Sequence, residues 1–131
     1  MLKQKIKYTD YDGNEREEDF YFNMNKLEAT KFGYSKEEGL ENYVKRIMSN
    51  KDASKILDLF EQFILDCYGE KSADGKRFIK TPEMREEFRQ TEAFVELYFK
   101  MASDADFAAS FIKNVLPKAE DMAVTSPKLV Q

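Results

Sequence analysis

Four carboxylates form an acidic run near the N-terminus, and paired carboxylates can bind magnesium or carry out acid–base catalysis. The run consists of Glu15, Glu17, Glu18 and Asp19. It lies along a predicted strand, opposite a second strand that carries lysines, and the surrounding residues indicate neither a base nor a pocket. We therefore interpret the run as the solvated face of a hairpin rather than as a catalytic or metal site.

The segment just before this run, 10–14 (DYDGN), hints at a calcium-binding loop. An EF-hand loop needs glycine at its sixth position and glutamate at its twelfth. Counted from Asp10, those positions hold Glu15 and Tyr21, so the match fails. A tight turn between two strands explains the segment better.

Three basic side chains, Lys76, Arg77 and Lys80, surround Phe78, and basic residues beside an aromatic ring can bind single-stranded nucleic acid. The whole chain, however, has 21 basic and 25 acidic residues and a net charge of −4. One basic cluster on an acidic chain favours a solvated loop or a contact with an acidic protein. We therefore predict no nucleic-acid binding.

The chain contains no histidine and a single cysteine, which excludes several classes of site. Without histidine, neither Ser-His-Asp nor Cys-His catalysis nor a His-ligated metal is available. Cys67 can form no intramolecular disulfide, and its place on the apolar face of a predicted helix indicates a small buried hydrophobic residue. The phosphate-binding loop motif of ATPases is also missing. We predict a non-enzymatic protein that uses no cofactor or metal.

Length and composition indicate one globular domain. The chain has 131 residues, of which 42% are hydrophobic and 35% charged, and this size allows a substantial core. No apolar run approaches the roughly 18 residues of a membrane span, and no signal-peptide core is found. We expect a soluble, intracellular protein that does not bind membranes.

The first 24 residues have the period-two pattern of a β-hairpin. Leu2, Ile6 and Tyr8 share one parity on the first strand, and Phe20 and Phe22 share one on the second. A three-residue loop with Gly13 in the left-handed region sets the register. This register pairs Lys5 with Asp19, Lys7 with Glu17 and Leu2 with Phe22. A register shifted by two residues, with Ile6 opposite Phe20, is the main competitor.

After Met24 the apolar period becomes helical, and capping residues mark where helices begin. The predicted starts are Asn25, a Ser35–Glu38 capping box, Asp52, Thr81-Pro82, and Ser103 or Asp104, with a break near Gln90-Thr91. The helix after Asp52 is the most apolar and is predicted to run to Gly69 and form the centre of the core. Its apolar face consists of Ile56, Leu57, Leu59, Phe60, Phe63, Ile64, Cys67 and Tyr68. Lys71 to Lys80 is predicted to be a loop with a turn at Asp74-Gly75.

The predicted fold class is α+β, mainly α: an N-terminal β-hairpin followed by a compact bundle of about five to six short helices. Residues 1–117 form this single domain, and residues 118–131 form a flexible C-terminal tail, because they carry few large apolar groups. The domain is rich in phenylalanine, tyrosine and methionine, which suits a surface that adapts to a partner. The sequence does not separate core aromatics from interface aromatics, so the partner-binding residues stay unassigned.

Four segments, in order along the chain, carry a resemblance to a known family: YDGNEREEDFYFNM at 11–24, GLENYVKRIM at 39–48, FEQFILDCYGEKSADGKRFIK at 60–80 and DADFAASFIKNVLP at 104–117, together with Phe88 and the QTEA of 90–93. They resemble the tail assembly chaperones of long-tailed bacteriophages and prophages of Gram-positive hosts. The most specific is the third, with YGEK at 68–71 and DGKRF at 74–78. The resemblance covers roughly residues 5 to 117.

The resemblance implies a non-enzymatic morphogenesis factor in the host cytoplasm. Such chaperones bind the tape-measure protein before the tail tube is built, keep it soluble and help to recruit the major tail protein. They are not expected in the mature virion, and self-association along the tape measure is possible. No catalytic residues carry over. Many members also occur in a longer, frameshifted form, and Pro117-Lys118 and Pro127-Lys128 permit the codons of a slippery run.

Two other functions compete with this one. The first is a small structural or completion protein of the phage tail or head, which would stay in the finished particle. The second is an enzyme or a nucleic-acid-binding regulator, which the missing histidine and the net negative charge disfavour.

Overall fold

A computed structural model of the chain describes residues 1–32, 49 and 53–118. Two strands come first, β1 (Leu2–Thr9) and β2 (Glu15–Phe22), followed by the short helix α1 (Lys26–Phe32). The long helix α2 (Ala53–Cys67) leads into the strands β3 (Tyr68–Lys71) and β4 (Phe78–Ile79). The helices α3 (Pro82–Arg89), α4 (Glu92–Ser103) and α5 (Ala105–Val115) follow. The predicted class, α+β and mainly α with an N-terminal hairpin, is confirmed.

The hairpin has the register predicted from turn chemistry and side-chain parity. Leu2 pairs with Phe22, Lys5 with Asp19 and Lys7 with Glu17, which excludes the shifted register. Gly13 has a φ of 85°, as the three-residue loop requires. The ammonium group of Lys7 lies 3.3 Å from the Glu17 carboxylate, and that of Lys5 lies 3.7 Å from the same carboxylate. Lys5 therefore forms its ion pair with Glu17, its diagonal neighbour on β2, rather than with Asp19, the residue directly opposite.

The turn of the hairpin is organised by the carboxylate of Asp10. Its Oδ1 accepts hydrogen bonds from the backbone N–H groups of Asp12 and Asn14, both at 2.9 Å, and its Oδ2 accepts one from Arg16 Nε at 2.5 Å. The Arg16 guanidinium, followed by the backbone donors, holds the pKa of Asp10 below its usual value of 3.8. The calcium-like segment is thus a hairpin turn whose carboxylate is already occupied.

We expect the substitution Arg16→Gln to raise the pKa of Asp10 toward 3.8. The folded-state pKa is depressed, so the stabilisation is present above the unfolded pKa and is lost as the pH falls through the folded value. The measurement is an NMR titration of the Asp10 carboxyl carbon. Lys113→Gln, on the distant helix α5, serves as the control. An Asp10 pKa that stays unchanged in Arg16→Gln would contradict this account.

The sheet extends beyond the hairpin, with the order β1-β2-β3-β4 and antiparallel pairing throughout. The prediction that the long helix runs to Gly69 is therefore wrong at its end, because the chain leaves α2 after Cys67 and adds to the edge of β2. Phe22 pairs with Tyr68, and Asn23 donates a hydrogen bond to the carbonyl of Cys67 at 2.9 Å. These bonds satisfy backbone groups that an isolated hairpin would leave unpaired.

The predicted loop from Lys71 to Lys80 is also wrong in part, because β4 lies within it and pairs with β3. The turn signal inside the segment is confirmed: Gly75 has a φ of 75°. Ser72 accepts a backbone hydrogen bond from Gly75 at 2.9 Å and donates one to Arg77 through its own N–H at 2.9 Å. The turn therefore closes the short β3-β4 hairpin.

The core lies between the inner face of the sheet and helices α2 to α5. Phe60, Phe63 and Ile64 are buried, so the prediction that this helix supplies the core centre agrees with their positions. Leu57 was placed on the same face, but it is 41% exposed, whereas Leu65 is buried. The remaining buried apolar residues come from β1, β2, the five described helices and the segments that flank them: Ile6, Phe22, Met24, Ala29, Cys67, Phe88, Ala93, Phe94, Leu97, Met101, Ala108, Phe111, Ile112, Val115 and Leu116.

The predicted helix caps that fall within the described residues are confirmed. Asn25 Oδ1 accepts a hydrogen bond from the N–H of Glu28, and the hydroxyl oxygen of Thr81 accepts one from the N–H of Met84. A break was predicted near Gln90-Thr91, and there the hydroxyl oxygen of Thr91 caps α4 by accepting from the N–H of Phe94. Asp104, rather than Ser103, caps the last helix through the N–H of Phe107. Three predictions lie outside the described residues: the capping box at Ser35–Glu38 with its helix, the cap at Asp52, and the tail beyond Lys118.

Candidate partner-binding surfaces

The charged clusters singled out in the sequence do not converge on a catalytic centre. The acidic run lies along β2, where Glu17 pairs with lysines and Glu18 lies 3.4 Å from Arg16. Cys67 is fully buried, and burial raises the pKa of its thiol well above the usual value. Such a thiol is a packing residue and not a nucleophile. In the described part of the chain, no three carboxylate or thiol groups lie together in a way that could hold a metal ion.

The basic cluster is divided by the fold. Lys76 and Arg77 are exposed in the β3-β4 turn, whereas Lys80 points inward and is partly buried. The Lys80 ammonium donates hydrogen bonds to the carbonyls of Asn23 and Asp66, both at 2.7 Å, and to Glu28 Oε2 at 2.8 Å. All three donor positions are therefore used to join the end of β2, helix α1 and the end of α2. A lysine held in this way is not free to contact nucleic acid.

Around Lys80 lies a groove of about 630 Å³, which we call the α1–α2 groove. Its apolar lining residues are Met24, Leu59, Leu65, Tyr68 and Pro82. Met24 and Leu65 are buried and form its floor, and Leu59 is half-buried. An apolar floor of this kind, containing a flexible methionine, can adapt to side chains of different shapes.

The rim of the α1–α2 groove carries charges of both signs, from Glu28, Lys31, Asp66 and Arg85. Glu28 is paired with Lys80, and Arg85 forms an ion pair with Asp66. Glu28, Asp66 and Arg85 keep their intramolecular partners when a ligand covers the groove, so none of these three charges would be left unpaired, although covering them still costs desolvation energy. The arrangement, an apolar floor between polar rims, suits the apolar face of an amphipathic helix.

A second surface lies at the free edge of the sheet. In the part of the chain that the structure describes, β1 pairs only with β2. The N–H of Asp10 donates to the carbonyl of Asn14, so these two residues form a hydrogen-bonded pair of the hairpin. Hydrogen-bonded and non-hydrogen-bonded pairs alternate along an antiparallel ladder. The backbone groups of Gln4, Ile6 and Tyr8 therefore face β2, whereas those of Lys3, Lys5 and Lys7 face away from it. The edge therefore presents a row of outward donors and acceptors.

A groove of about 640 Å³ runs beside this edge and is bounded on its other side by α4 and the start of α5; we call it the β1-edge groove. Its helical residues include Glu96, Leu97, Phe99, Lys100 and Phe107. Phe99 is 61% exposed, and the ammonium of Lys100 lies 4.4 Å from the centre of the Phe107 ring. Among the described residues, none lines both this groove and the α1–α2 groove.

Neither groove was identified in the sequence, although one signal was present. The alternation of lysines at positions 3, 5 and 7 marks one face of the strand, and in the observed register it also marks the residues whose backbone groups point away from β2. No comparable signal distinguishes exposed Phe99 from buried Phe94, because both lie in the segment 93–99, where every residue except Glu96 is hydrophobic. Among the described helices, none is long and apolar enough to span a bilayer.

Comparison with known proteins gives one finding. A protein-family model described as "Phage tail assembly chaperone" matches residues 1–126. Comparisons with curated proteins and with solved structures give no significant match.

Proposed function

Because the chain belongs to the phage tail assembly chaperone family, we propose that it binds the tape-measure protein and keeps it soluble until the tail tube forms. The observation that carries this proposal is the α1–α2 groove, whose apolar floor and charged rim suit an amphipathic helix. A tape-measure helix exposes apolar stripes that would aggregate without cover. The chaperone role suggests protein partners in tail assembly, and the tape measure is the one whose chemistry matches this groove.

We further propose that the protein acts by mass action, with many copies bound along one tape measure. Any factor that binds the dispersed client and not its aggregate stabilises the dispersed form as its concentration rises. Weak individual contacts combine when the client offers many adjacent sites. Bound copies would then help to recruit the major tail protein, and they would leave before the particle is complete. The proposed setting is the cytoplasm of the host bacterium, with no enzymatic step.

Co-expression with an aggregation-prone tape-measure fragment tests the proposal. We expect the soluble fraction of the fragment to rise at least several-fold in the presence of the chaperone. The substitution Leu59→Glu, which places a charge in the α1–α2 groove, is expected to remove most of this gain because an unpaired charge would be buried by the client. Leu57→Glu is the matched control, since Leu57 lies on the same helix, is exposed and does not line the groove.

Two outcomes would contradict the proposal. One is a fragment that precipitates equally with and without the protein. The other is stoichiometric recovery of the protein in purified virions by mass spectrometry, which would favour a structural component of the tail or head. Circular dichroism of Leu59→Glu and Leu57→Glu establishes that both variants fold before they are compared.

A further inference from the structure

We propose that the β1-edge groove binds an extended acidic peptide segment of a partner protein, which adds to the sheet as a fifth strand beside β1. This inference goes beyond binding of a helical client and uses a different set of residues. It rests on the backbone phase, the charge and the shape of the edge, and it does not depend on tape-measure binding.

The first step of the argument is the backbone. The outward N–H and C=O groups of Lys3, Lys5 and Lys7 are the template that strand addition requires. The carbonyl of Lys5 accepts a hydrogen bond from Gln4 Nε2 at 3.2 Å, which agrees with its outward direction. That donor is an exposed side-chain amide of the same strand, and it can rotate away when a peptide N–H arrives.

The second step is charge, which excludes a second copy of β1 and selects acidic residues. Residues that exchange hydrogen bonds in an antiparallel pair lie directly opposite each other with their side chains on one face. Two copies of β1 would therefore place lysines opposite lysines, which is destabilising. Both lysines already pair with the single carboxylate of Glu17, but the Lys7 side chain is 81% exposed and that of Lys5 is 61% exposed, so their ammonium groups are accessible to a second carboxylate. Carboxylates at the opposing positions would be favourable.

The third step is the shape of the inner side. Side chains alternate across a strand, so peptide residues between the acidic positions would point toward the helices. There they would meet Leu97, Phe99 and Phe107, of which Phe99 is well exposed. The groove thus selects a segment in which acidic residues alternate with apolar ones. Lys100, placed over the Phe107 ring, adds a further positive charge at this wall.

The test uses the full chain, labelled with ¹⁵N, and a fluorescent peptide that alternates glutamate with valine. We expect saturable binding that weakens as salt is added. Amide hydrogen exchange of Lys3, Lys5 and Lys7 should slow on binding, because these N–H groups acquire partners. The amides of Gln4, Ile6 and Tyr8 are the internal reference, since β2 already protects them. A peptide that alternates lysine with valine, and a copy with N-methylated glutamate amides, should each bind at least tenfold more weakly.

Matched variants assign the contacts. The double substitution Lys5→Gln and Lys7→Gln should weaken peptide binding roughly fivefold, given about 1 kcal/mol for the two cross-strand pairs together. Lys113→Gln with Lys118→Gln removes the same charge elsewhere and should have no effect. Phe99→Ala should weaken binding several-fold, while Leu57→Ala, which truncates an exposed apolar residue outside the groove, should not.

Three results would overturn the inference. The first is the absence of saturable binding up to millimolar peptide. The second is equal binding of the acidic, basic and N-methylated peptides. The third is slow exchange of the Lys3, Lys5 and Lys7 amides in the peptide-free protein, which would show that another part of this chain or a second copy already covers the edge. None of these results bears on the tape-measure solubility assay, so the two proposals can fail separately.

Discussion

Replacing Phe22 with alanine should lower the free energy of unfolding by roughly 3–5 kcal/mol, the cost of truncating a fully buried phenylalanine. Phe22 is completely inaccessible to solvent and lies where the sheet meets the helices. Its ring centre is 5.9 Å from those of Tyr68 and Phe88 and 5.2 Å from that of Phe111. The substitution would therefore remove contacts to β3, α3 and α5 at once. The free energy of unfolding of a domain of this size is about 5–15 kcal/mol, so the substitution would remove a large part of it.

Urea denaturation provides the measurement, and Phe99→Ala provides the control. Phe99 is an exposed phenylalanine in α4, so its truncation should change the free energy of unfolding by at most about 0.5 kcal/mol. Phe60→Ala and Phe63→Ala, in the middle of α2, should have losses similar to that of Phe22→Ala because both residues are buried. A loss below about 1 kcal/mol for Phe22→Ala would place the centre of the core elsewhere.

The hairpin register could be predicted because three independent signals select it. The loop length places Gly13 in the left-handed region, the lysines face carboxylates, and Leu2 lies opposite Phe22. A one-residue shift would reverse every side chain. The two-residue shift that sets Ile6 opposite Phe20 would leave Lys5 opposite Tyr21 instead of a carboxylate. Helix starts were similarly predictable, because a cap such as Thr81 or Asp104 satisfies backbone groups within its own turn. These are local constraints, and local constraints are visible in a single sequence.

Strands β3 and β4 could not be predicted, because their existence depends on a distant partner. They have four and two residues, too few for a period to be recognised. Tyr68 continues the apolar face of α2, so the sequence pattern favours a longer helix. What ends the helix is the edge of β2 and the ring of Phe88, which stacks on Tyr68 with ring centres 4.1 Å apart. Tertiary contact therefore outweighs local preference at this position.

The candidate surfaces depend on side-chain exposure, which is also a tertiary property. Leu57 and Leu65 are both leucines of α2, yet only Leu65 is covered by neighbouring elements. Lys80 belonged to an apparent basic cluster, and only the approach of α1 and α2 shows that its charge is internal. In contrast, the outward direction of the backbone groups of Lys3, Lys5 and Lys7 follows from the register that was predicted from the sequence. Of the two candidate surfaces, the β1-edge groove is therefore the one whose basis can be predicted more directly from the sequence.

Gly69→Ala should destabilise the protein by about 1–3 kcal/mol, although alanine is normally better tolerated than glycine within a strand. A Cβ built on Gly69 would lie 2.5 Å from Phe78 Cε2 and 2.6 Å from the carbonyl oxygen of Ile79. Both atoms belong to β4, so β4 would have to move away from β3. That movement would also pull on Lys80, which directly follows β4 and joins it to α1 and α2.

Paired substitutions distinguish this crowding from a backbone effect. Gly75→Ala should also be destabilising, but for a different reason: Gly75 has a φ of 75° and open space around its Cα, so the cost is backbone strain alone. Adding Phe78→Ala removes the nearest of the clashing atoms at Gly69. In urea denaturation, the free-energy losses of Gly69→Ala and Phe78→Ala should therefore sum to more than the loss of the double variant, whereas those of Gly75→Ala and Phe78→Ala should add. Strict additivity in both pairs would mean that the close approach of β3 and β4 is not what requires glycine at position 69.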